Sequence, residues 1–490
     1  MDVFDLRNRL VEDYARYTSS FIKIADPRIK EMVETQLADG AFWPEPLLQL
    51  NPTFKPGGTI DDLVKEGVLH PECSKIFKLD KSDSDPTGKP LFLHAHQREA
   101  ILKAKENKSY VLTSGTGSGK SLTYIIPIVD HVLRHGSGRG IQAIVVYPMN
   151  ALANSQEEEL GKFLHRGYPE GKPPVRFALY TGQEKGEKRE DIRNNPPDIL
   201  LTNYMMLELM LTRWEDSDLV RAAQGLRFLV FDELHTYRGR QGADVALLIR
   251  RCRLAFGGHN IICVGTSATM ASEGTTEEQK RVVAGVAQTL FGIPFDTTQV
   301  IGETLERGTE ELDFGERQVL EAMREAIETD APPPENPEDF RRHPLASWLE
   351  STFGSRTEEE TGRRVRQSPR RLQGQDSAAE ELARITGADP PRCASVLRQY
   401  LMKGSTLKLN PSSRFPIFAF RLHQFFTRGD TVWATMEPES ERHLEMSKKV
   451  SKPGEPDKPL FPIVFCRQCG TAYYRVKIAA DDEGKALLPR

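Results

Sequence analysis

A glycine-rich loop between an apolar strand pattern and an apolar helix pattern constrains this chain more than any other feature. Residues 114–121 read SGTGSGKS, after the apolar triplet 110–112 and before the largely apolar stretch 122–133. Glycines let backbone N–H groups approach phosphate oxygens, a lysine at this position reaches the β- and γ-phosphates, and the next serine ligates Mg²⁺. The loop therefore predicts a site for ATP and Mg²⁺, with Lys120 on the phosphates and Ser121 on the metal. Ser114 replaces the first glycine of the usual pattern, and a chance glycine-rich turn is the alternative.

Short apolar runs recur in the same region, with helix-like segments between them. They are residues 110–112, 143–147, 177–180, 199–201, 228–231 and 261–264. Near-continuous apolar strands that alternate with helices are typical of a parallel sheet covered on both faces. The sequence therefore predicts an α/β domain over residues 91–300.

An acidic pair follows one of these apolar runs directly. Asp232-Glu233-Leu234-His235 comes after residues 228–231, and parallel α/β sheets place their active sites at the carboxyl ends of strands. Asp232 would hold Mg²⁺ through water, Glu233 would orient and deprotonate an attacking water, and His235 is a candidate relay. A solvated turn is the alternative. Together with Lys120, these three residues form the predicted catalytic set.

Three blocks together resemble the superfamily 2 DExH-box helicases. TGSGKS (116–121) corresponds to motif I, DELH (232–235) to motif II and SAT (267–269) to motif III. Gln97 looks like the glutamine that reads adenine upstream of motif I. The resemblance implies a RecA-like parallel sheet flanked by helices. It also implies that nucleotide is bound by Gln97, Thr116, Gly117, Ser118, Gly119, Lys120 and Ser121.

Further segments stand where the nucleic-acid loops of such helicases would fall. Residues 148–156 are similar to motif Ia, and residues 180–182 and 198–204 occupy the places of two more strand-binding loops. Their hydroxyls and backbone N–H groups can be presented to a sugar-phosphate track, although each segment taken alone is more often an ordinary loop. The residues expected to couple ATP to nucleic acid are Pro148, Asn150, Thr181, Gly182, Thr202, Asn203, Ser267, Ala268 and Thr269.

Composition and punctuation divide the rest of the chain. Residues 1–90 predict a helical N-terminal extension, residues 301–414 a charged helical or flexible insertion, and residues 415–490 a mixed segment. The formal charge of −4 excludes a broadly basic surface, so nucleic-acid contacts must come from local patches. The sequence lacks a long apolar run and a signal-peptide pattern, and its cysteines are scattered, which favours a cytoplasmic protein with reduced thiols and no membrane partner.

A C-x-x-C-G sequence lies near the C-terminus. Cys466 and Cys469 could supply half of a tetrahedral zinc site, with Cys393, His423 or ligands outside this chain as the remainder; a redox or incidental pair is the alternative. With residues 421–434, this block resembles large bacterial helicases that carry a cysteine-cluster domain of unknown function. Relatives of that kind act in mitomycin repair and in antiphage systems of the Druantia and DISARM types, which implies DNA rather than RNA and permits a defence or repair role.

One element of a complete helicase is missing from the sequence. Helicases of this superfamily have a second RecA-like domain whose Q-x-x-G-R-x-G-R motif completes the ATP site, and the arginine pairs 363–364 and 370–371 stand in polar context without a preceding strand pattern. We therefore expect either a fragment or one half of a split motor, with the second RecA-like domain in cis or in a partner chain. The leading hypothesis is an ATP-dependent helicase or translocase. The alternatives are a nucleotide-dependent recruitment subunit and an ATP-gated switch that does not unwind.

Overall fold

The structure is a computed structural model of the 490-residue chain. It describes residues 2–21, 23–38, 40, 42–82, 85–115, 117–168, 173–184, 186–268, 274–359, 361–408, 416–426, 431–481 and 484–489. The chain divides into two compact units. The sheet unit comprises Thr53–Glu306 and Arg356–Val365, and the helical unit comprises Met1–Pro52, Arg307–Ser355 and Arg366–Arg490.

A seven-stranded parallel sheet forms the centre of the sheet unit, which confirms the predicted RecA-like α/β fold. The strands lie in the order β7-β1-β6-β5-β2-β4-β3 and every neighbouring pair is parallel. All six apolar runs form strands of this sheet. In chain order the strands are β1 Tyr110–Thr113, β2 Ala143–Tyr147, β3 Phe177–Leu179, β4 Ile199–Asn203, β5 Phe228–Phe231, β6 Ile262–Ser267 and β7 Val300–Gly302.

Helices cover both faces of this sheet. They are α1 Ile60–Lys65, α2 Cys73–Ile76, α3 Ala95–Lys105, α4 Leu122–His135, α5 Asn150–Leu164, α6 Glu187–Asn194, α7 Tyr204–Met210, α8 Ser217–Ala222, α9 Gly239–Phe256 and α10 Thr276–Phe291. Short 3₁₀ turns are Trp214–Asp216, Leu234–Thr236, Gly258–Asn260 and Thr297–Gln299. Because side chains alternate along a strand, Val145 and Tyr147 of β2 enter the core beneath α3 and α4, whereas Val146 enters the core beneath α9 and α10. Both layers are therefore closed to water.

Helix α4, which follows the glycine-rich loop, contains a proline that the sheet accommodates. Pro127 has no N–H to donate to the Thr123 carbonyl one turn earlier. The hydroxyl of Tyr110, on β1, donates to that carbonyl instead at 2.7 Å. The buried strand thus satisfies the acceptor that the proline leaves open, and α4 continues to His135.

Residues 53–94 belong to the sheet unit, so this unit begins earlier in the chain than the predicted start of the α/β domain at residue 91. Short antiparallel pairs tie this segment down: Thr53–Phe54 with Leu305–Glu306, Pro56–Thr59 with Phe92–His94, and Lys78–Leu79 with Lys89–Pro90. A further two-stranded ribbon joins Ser355–Thr357 and Arg364–Arg366. Ile60 and Leu63 of α1 are buried in the same core as β1 and α4, which explains why this segment folds with the sheet.

The helical unit has a hydrophobic core of its own, which its charged composition does not indicate. Its helices are Val3–Ser20, Pro27–Ala38, Arg317–Glu328, Pro337–Arg342, Pro344–Phe353, Ala378–Thr386 and Pro390–Gly404. Phe340, Leu349 and Leu397 are among the residues buried between them. The reading of residues 301–414 as partly flexible does not describe this packing. Pro337, Pro344 and Pro390 occupy first helical positions, where the missing N–H costs nothing.

Small antiparallel sheets complete the helical unit. Leu47–Asn51 pairs with Ala419–His423 and with Arg370–Arg371, and a four-stranded sheet contains Trp433–Ala434, Leu444–Glu445, Phe461–Phe465 and Ala472–Tyr474. Two ribbons pair Ser451–Lys452 with Glu455–Pro459 and Val476–Asp481 with Gly484–Pro489. Within the described ranges, none of the helices is both long and apolar enough to span a lipid bilayer.

Candidate nucleotide and nucleic-acid site

The glycine-rich loop connects β1 to α4, as its sequence predicts. Gly117 and Gly119 have φ angles of 81° and 69°, a region that residues with a Cβ rarely adopt. A Cβ on Gly119 would lie 2.4 Å from the Gln97 Nε2 atom, so the close approach of that side chain also requires glycine. The Ser114 and Ser118 hydroxyls are 2.6 Å apart and brace the loop from inside. Thr116 lies outside the described residues.

Gln97 joins helix α3 to this loop. Its Oε1 accepts a hydrogen bond from the His94 N–H at 2.8 Å, and its Nε2 donates to the carbonyls of Gly119 at 2.9 Å and Ser118 at 3.3 Å. The side chain is 2% exposed. Its amide therefore holds the loop in place, and its contact with adenine stays a prediction.

Three rings lie beside Gln97. Those of Phe54, His94 and His96 have centroids 4.8 to 5.5 Å apart, and His96 Nε2 lies 3.2 Å from the Ser118 carbonyl oxygen. Burial lowers the pKa of His94 to about 4 and also lowers that of His96. The rings next to the loop are therefore uncharged near neutral pH.

The acidic motif lies where β5 ends, next to the end of β6. The Asp232 N–H donates to the Val146 carbonyl at 2.9 Å, and its carboxylate accepts a hydrogen bond from the Thr266 hydroxyl. Burial raises the pKa of Asp232 to about 6, although the Thr266 hydrogen bond opposes this shift. Thr266 also accepts the Glu233 N–H at 3.2 Å. One hydroxyl at the end of β6 thus positions both acidic residues, a role that the motif pattern did not assign to it.

The four predicted catalytic residues meet at this edge of the sheet. Lys120 Nζ forms an ion pair with Glu233 Oε1 at 3.3 Å, and His235 Nδ1 lies 3.3 Å from Glu233 Oε2 and 3.2 Å from the Ser267 hydroxyl. Lys120 Nζ and Glu233 Oε2 are buried, and no described polar atom makes a hydrogen bond with either of them. An ammonium with unused donors above a glycine-rich loop fits an incoming phosphate.

Oxygen donors suitable for Mg²⁺ lie beside these residues. Ser121 directly precedes α4 at the end of the loop, and Asp232 presents a carboxylate from the end of β5. A hydroxyl, a carboxylate and water are the hard ligands that Mg²⁺ prefers together with nucleotide phosphates. The donor set therefore fits the predicted metal.

The predicted nucleic-acid residues also lie at the carboxyl ends of strands, but several of them point inward. The Thr202 hydroxyl donates to the Tyr180 carbonyl at 2.6 Å, the Thr181 hydroxyl donates to Glu184 at 2.8 Å, and both threonines are fully buried. Ser267 is buried against His235. These short hydroxyls satisfy polar groups of their own loops, so the structure gives them a positioning role.

The remaining members of that set lie nearer the surface. Asn203 Nδ2 donates to Asn150 Oδ1 at 2.6 Å, and Asn203 Oδ1 caps α7 through the Met206 N–H at 2.7 Å. Gly182 is exposed, while Pro148 and Ala268 are half-buried. Thr269 lies outside the described residues. Contact of this set with nucleic acid stays a prediction.

Glu303 is a loop contact that the sequence patterns did not indicate. Its carboxylate accepts the Gly115 N–H at 3.2 Å, from a position just after the edge strand β7. The edge strand is only three residues long, and its pairing with β1 depends on the folded sheet. A lone acidic residue after so short a strand carries no recognisable signal.

The cysteine pair of the helical unit forms a tight turn. The Cys466 N–H donates to the Thr471 carbonyl, the Gly470 N–H donates to the Cys466 carbonyl at 2.8 Å, and hydrogen bonds from Thr471 lower the pKa of Cys469 to about 7. Cys393 is buried among helices. Among the described residues there is no group of three or more His, Cys, Asp or Glu side chains that could hold a metal, so neither Cys393 nor His423 completes a site there.

The sheet unit is similar in sequence to known helicases. Residues 94–277 match the DEAD/DEAH box helicase family. The uncharacterized ATP-dependent helicase YprA of Bacillus subtilis is 32% identical over 195 residues, which cover 38% of this chain and 24% of YprA. The Druantia protein DruE of Escherichia coli is 24% identical over 363 residues, covering 50% of this chain and 19% of DruE.

Solved structures of helicases are also similar. A DUF1998 helicase, MrfA, bound to DNA shares a TM-score of 0.40 at 20% identity, covering 58% of this chain and 35% of that chain. Over residues 94–277 the chain is similar to DEAD/DEAH box helicases. It spans about a quarter or less of the length of the first three curated relatives.

Proposed function

We propose that this chain supplies the ATP-hydrolysing half of a helicase or translocase that moves along DNA. The observation that carries the proposal is the meeting of Lys120 and Glu233 with the buried Asp232 at the end of the glycine-rich loop, with the Lys120 and Glu233 side chains 3.3 Å apart. A chain that only bound nucleotide would need Lys120 but not a general base. The intact acidic pair therefore favours hydrolysis over simple recruitment.

The residues of the site divide the work of hydrolysis. Backbone N–H groups of the loop and the Lys120 ammonium would hold the β- and γ-phosphates, and Ser121 and Asp232 would hold Mg²⁺, which would supply charge neutralisation. Glu233 orients a water in line with the γ-phosphate and accepts its proton. Since Lys120 already faces Glu233, binding of the phosphates exchanges this ion pair for a phosphate contact and frees the carboxylate to accept a proton.

Coupling to nucleic acid runs through the neighbouring strand end. The contact of His235 with Ser267 joins the acidic motif to the loop that follows β6. Asn150 and Asn203 bridge the loops after β2 and β4. We propose that these loops carry one strand of DNA across the carboxyl edge of the sheet. The choice of DNA rests on the resemblance of the motifs to large bacterial helicases, and a defence or repair role rests on the same resemblance.

We further propose that a second RecA-like domain, in cis or in a partner chain, completes the motor. In related nucleotide hydrolases an arginine from outside the first site raises the rate by about 10³–10⁵. Without the second domain there is also no second strand-binding face to alternate with the first. We therefore expect this chain alone to hydrolyse ATP slowly and not to unwind a duplex.

The test combines strand displacement with phosphate release. Forked duplex DNA and an equivalent RNA are incubated with saturating ATP and the purified chain, and released strand and phosphate are measured, with Lys120→Ala as the control. Slow hydrolysis that DNA stimulates more than RNA supports the proposal. Equal stimulation by RNA refutes the choice of DNA. Robust unwinding that depends on Lys120 refutes the half-motor. Nucleotide binding without any Lys120-dependent phosphate release favours the recruitment subunit.

For the cysteine turn, we propose half of a zinc site whose other ligands lie outside the described residues. One tight turn carries both thiols, and the lowered pKa of Cys469 favours the thiolate form that binds zinc. A redox dithiol is the second candidate for the same geometry. Reaction with a thiol-specific reagent before and after zinc addition separates the two, because only zinc binding protects the thiols without oxidising them.

A further inference from the structure

The segment that follows the edge strand β7 lies against the start of the glycine-rich loop. β7 pairs with β1 in parallel register, with Gly302 opposite Thr113. The next residue, Glu303, therefore falls beside the loop, and its carboxylate accepts the Gly115 N–H at 3.2 Å. A hydrogen bond from a backbone N–H to a carboxylate is stronger than one between neutral groups. The edge of the sheet thus holds the loop where the loop begins.

A second contact holds the loop from the side of helix α3. His96 Nε2 lies 3.2 Å from the Ser118 carbonyl oxygen. Because a carbonyl oxygen can only accept, Nε2 must carry the proton. The His96 side chain is 0% exposed, and burial lowers its pKa, although the Ser118 hydrogen bond and the charge of Glu303 oppose this shift. His96 is therefore a neutral donor with one defined tautomer.

Backbone hydrogen bonds join these two contacts behind the loop. The Thr304 carbonyl accepts the Lys55 N–H at 2.9 Å, and the Lys55 carbonyl accepts the N–H of Ala95, the first residue of α3, at 2.8 Å. Thr304 follows Glu303 in the chain, and Ala95 precedes His96. A path of hydrogen bonds and peptide bonds therefore runs without a break from Gly115 to Ser118. We call residues 53–55, 95–96 and 303–306 the clasp.

Side-chain packing fixes the same connection. Leu305 pairs with Phe54 in antiparallel register and is buried. The Phe54 ring meets the His96 ring edge-on, with the two centroids 5.2 Å apart. Edge-to-face contacts at such distances are favourable. The imidazole that donates to Ser118 is thus held by the strand that pairs with residues 305–306.

The loop needs support from outside because its own sequence is permissive. Gly117 and Gly119 have positive φ, and glycine loses more conformational freedom on ordering than any other residue. A ligand binds more tightly to a loop that is already ordered, since the entropy of ordering is not then lost on binding. Contacts that fix Gly115 and Ser118 therefore bear on the affinity for phosphate.

We propose that Glu303 and His96 are positioning residues for nucleotide binding, which act through Gly115 and Ser118 to preorganise the glycine-rich loop for the β- and γ-phosphates. This inference rests on the proposed nucleotide site. Neither side chain contacts the phosphates. Through the clasp, the segment that leaves the central sheet at residues 303–306 helps to set the affinity for nucleotide.

The test compares variants that remove each hydrogen bond with variants that keep it. Glu303→Ala removes the acceptor, whereas Glu303→Gln keeps an oxygen acceptor and removes only the charge. His96→Leu removes the donor, whereas His96→Gln keeps an N–H at the position of Nε2. Glu306→Ala is the control, because Glu306 is an exposed residue of the same segment. Calorimetry measures binding of ADP and of AMP in Mg²⁺, and the melting temperature shows whether each variant is folded.

The expected losses follow the hydrogen bonds and not the charge. Glu303→Ala and His96→Leu should each bind ADP about tenfold more weakly than the wild type, the effect of about one lost hydrogen bond. Glu303→Gln and His96→Gln should bind ADP within about threefold of the wild type, because the hydrogen bond is restored. AMP, which lacks the β-phosphate, should lose no more than about twofold in any variant. Glu306→Ala should bind both nucleotides as the wild type does.

The other outcomes separate the inference from the nucleotide site. Wild-type ADP affinity in Glu303→Ala and His96→Leu overturns the inference, even if both variants melt lower, since the contacts would then be only structural. Equal losses for AMP and ADP overturn it as well, because the clasp would then act on the nucleoside side. Glutamine variants as weak as Glu303→Ala and His96→Leu have the same meaning. If the folded wild type binds no ADP, the proposed nucleotide site itself fails.

Discussion

Replacing Thr266 with valine tests the central claim that one hydroxyl positions both acidic residues. Valine has nearly the same shape, so the fully buried position keeps its packing while the hydroxyl is lost. Asp232 loses a hydrogen bond to its carboxylate, and the Glu233 N–H loses its acceptor. A hydrogen bond to a charged group contributes about 1.5–3 kcal/mol and a neutral one about 0.5–1.5 kcal/mol. We therefore expect a loss of about 2–4 kcal/mol in the free energy of unfolding.

This loss is large enough to measure and should be accompanied by a catalytic defect. For a domain of this size, 1 kcal/mol corresponds to about 2–4 °C, so the melting temperature should fall by about 8 °C. The rate of single-turnover ATP hydrolysis should fall about 10–100-fold, because Thr266 positions Asp232, the proposed metal ligand, and Glu233, the proposed base.

Ser109→Ala is the control for this variant. The Ser109 hydroxyl accepts the Cys263 N–H at 2.9 Å, at the opposite end of the same strand β6. The Ser109→Ala variant should therefore be less stable than the wild type but hydrolyse ATP at the same rate. A Thr266→Val variant that hydrolyses ATP as fast as Ser109→Ala would refute the positioning role of Thr266.

Four further outcomes follow from the site and its surroundings. Lys120→Ala should abolish ATP binding. Glu233→Gln should keep ATP binding and block hydrolysis, because an amide orients water but cannot accept its proton. Hydrolysis by Glu233→Gln would contradict the assignment of Glu233 as the base. Gln97→Ala should lower the equilibrium binding affinity for ATP more than that for GTP. Both affinities should fall to some extent, because the Gln97 amide also holds the loop. Equal losses of affinity would leave Gln97 with a purely structural role. Metal analysis of the purified chain should give substoichiometric zinc, and a full chelator-resistant equivalent would show a closed site. Calorimetry should show that the melting temperature falls as the pH is lowered from 6.5 to 4.5. Burial lowers the pKa of His94, His131 and His343 to about 4, so the unfolded chain binds more protons than the folded chain in this range and is favoured by acid. A melting temperature that does not change with pH would argue against neutral buried histidines.

The parts of the fold that the sequence predicts well are those encoded by local pattern. Six of the seven central strands are continuous apolar runs, and the two motifs at their ends combine fixed spacing with a strand–loop–helix context. Each of these signals needs only about ten neighbouring residues. The exception is β7, whose three residues become a strand through their pairing with β1.

The parts that local pattern missed depend on contacts between distant segments. Thr266 is separated from Asp232 by 34 positions, and Glu303 from Gly115 by 188. The helical unit is built from three separate stretches of chain, so its core is invisible in any one window. The hydroxyls of Thr181 and Thr202 make internal hydrogen bonds that the sequence did not indicate, and the contact of these residues with nucleic acid stays a prediction.

Backbone strain points to the same residue as the motifs do. Five non-glycine residues in the described ranges have positive φ: Asp80, Asn107, Glu233, Asp330 and Asp376. Four of these are aspartate or asparagine, whose short side chains tolerate this conformation. Glu233, at φ 53°, has a longer side chain that does not favour this conformation. Hydrogen bonds hold it there: its N–H donates to the Thr266 hydroxyl, and its carbonyl accepts from the Thr236 N–H and hydroxyl. Glycine would remove a cost of the order of 1 kcal/mol, but it would also remove the carboxylate that faces Lys120. The chain therefore keeps a strained glutamate where the proposed chemistry needs a base.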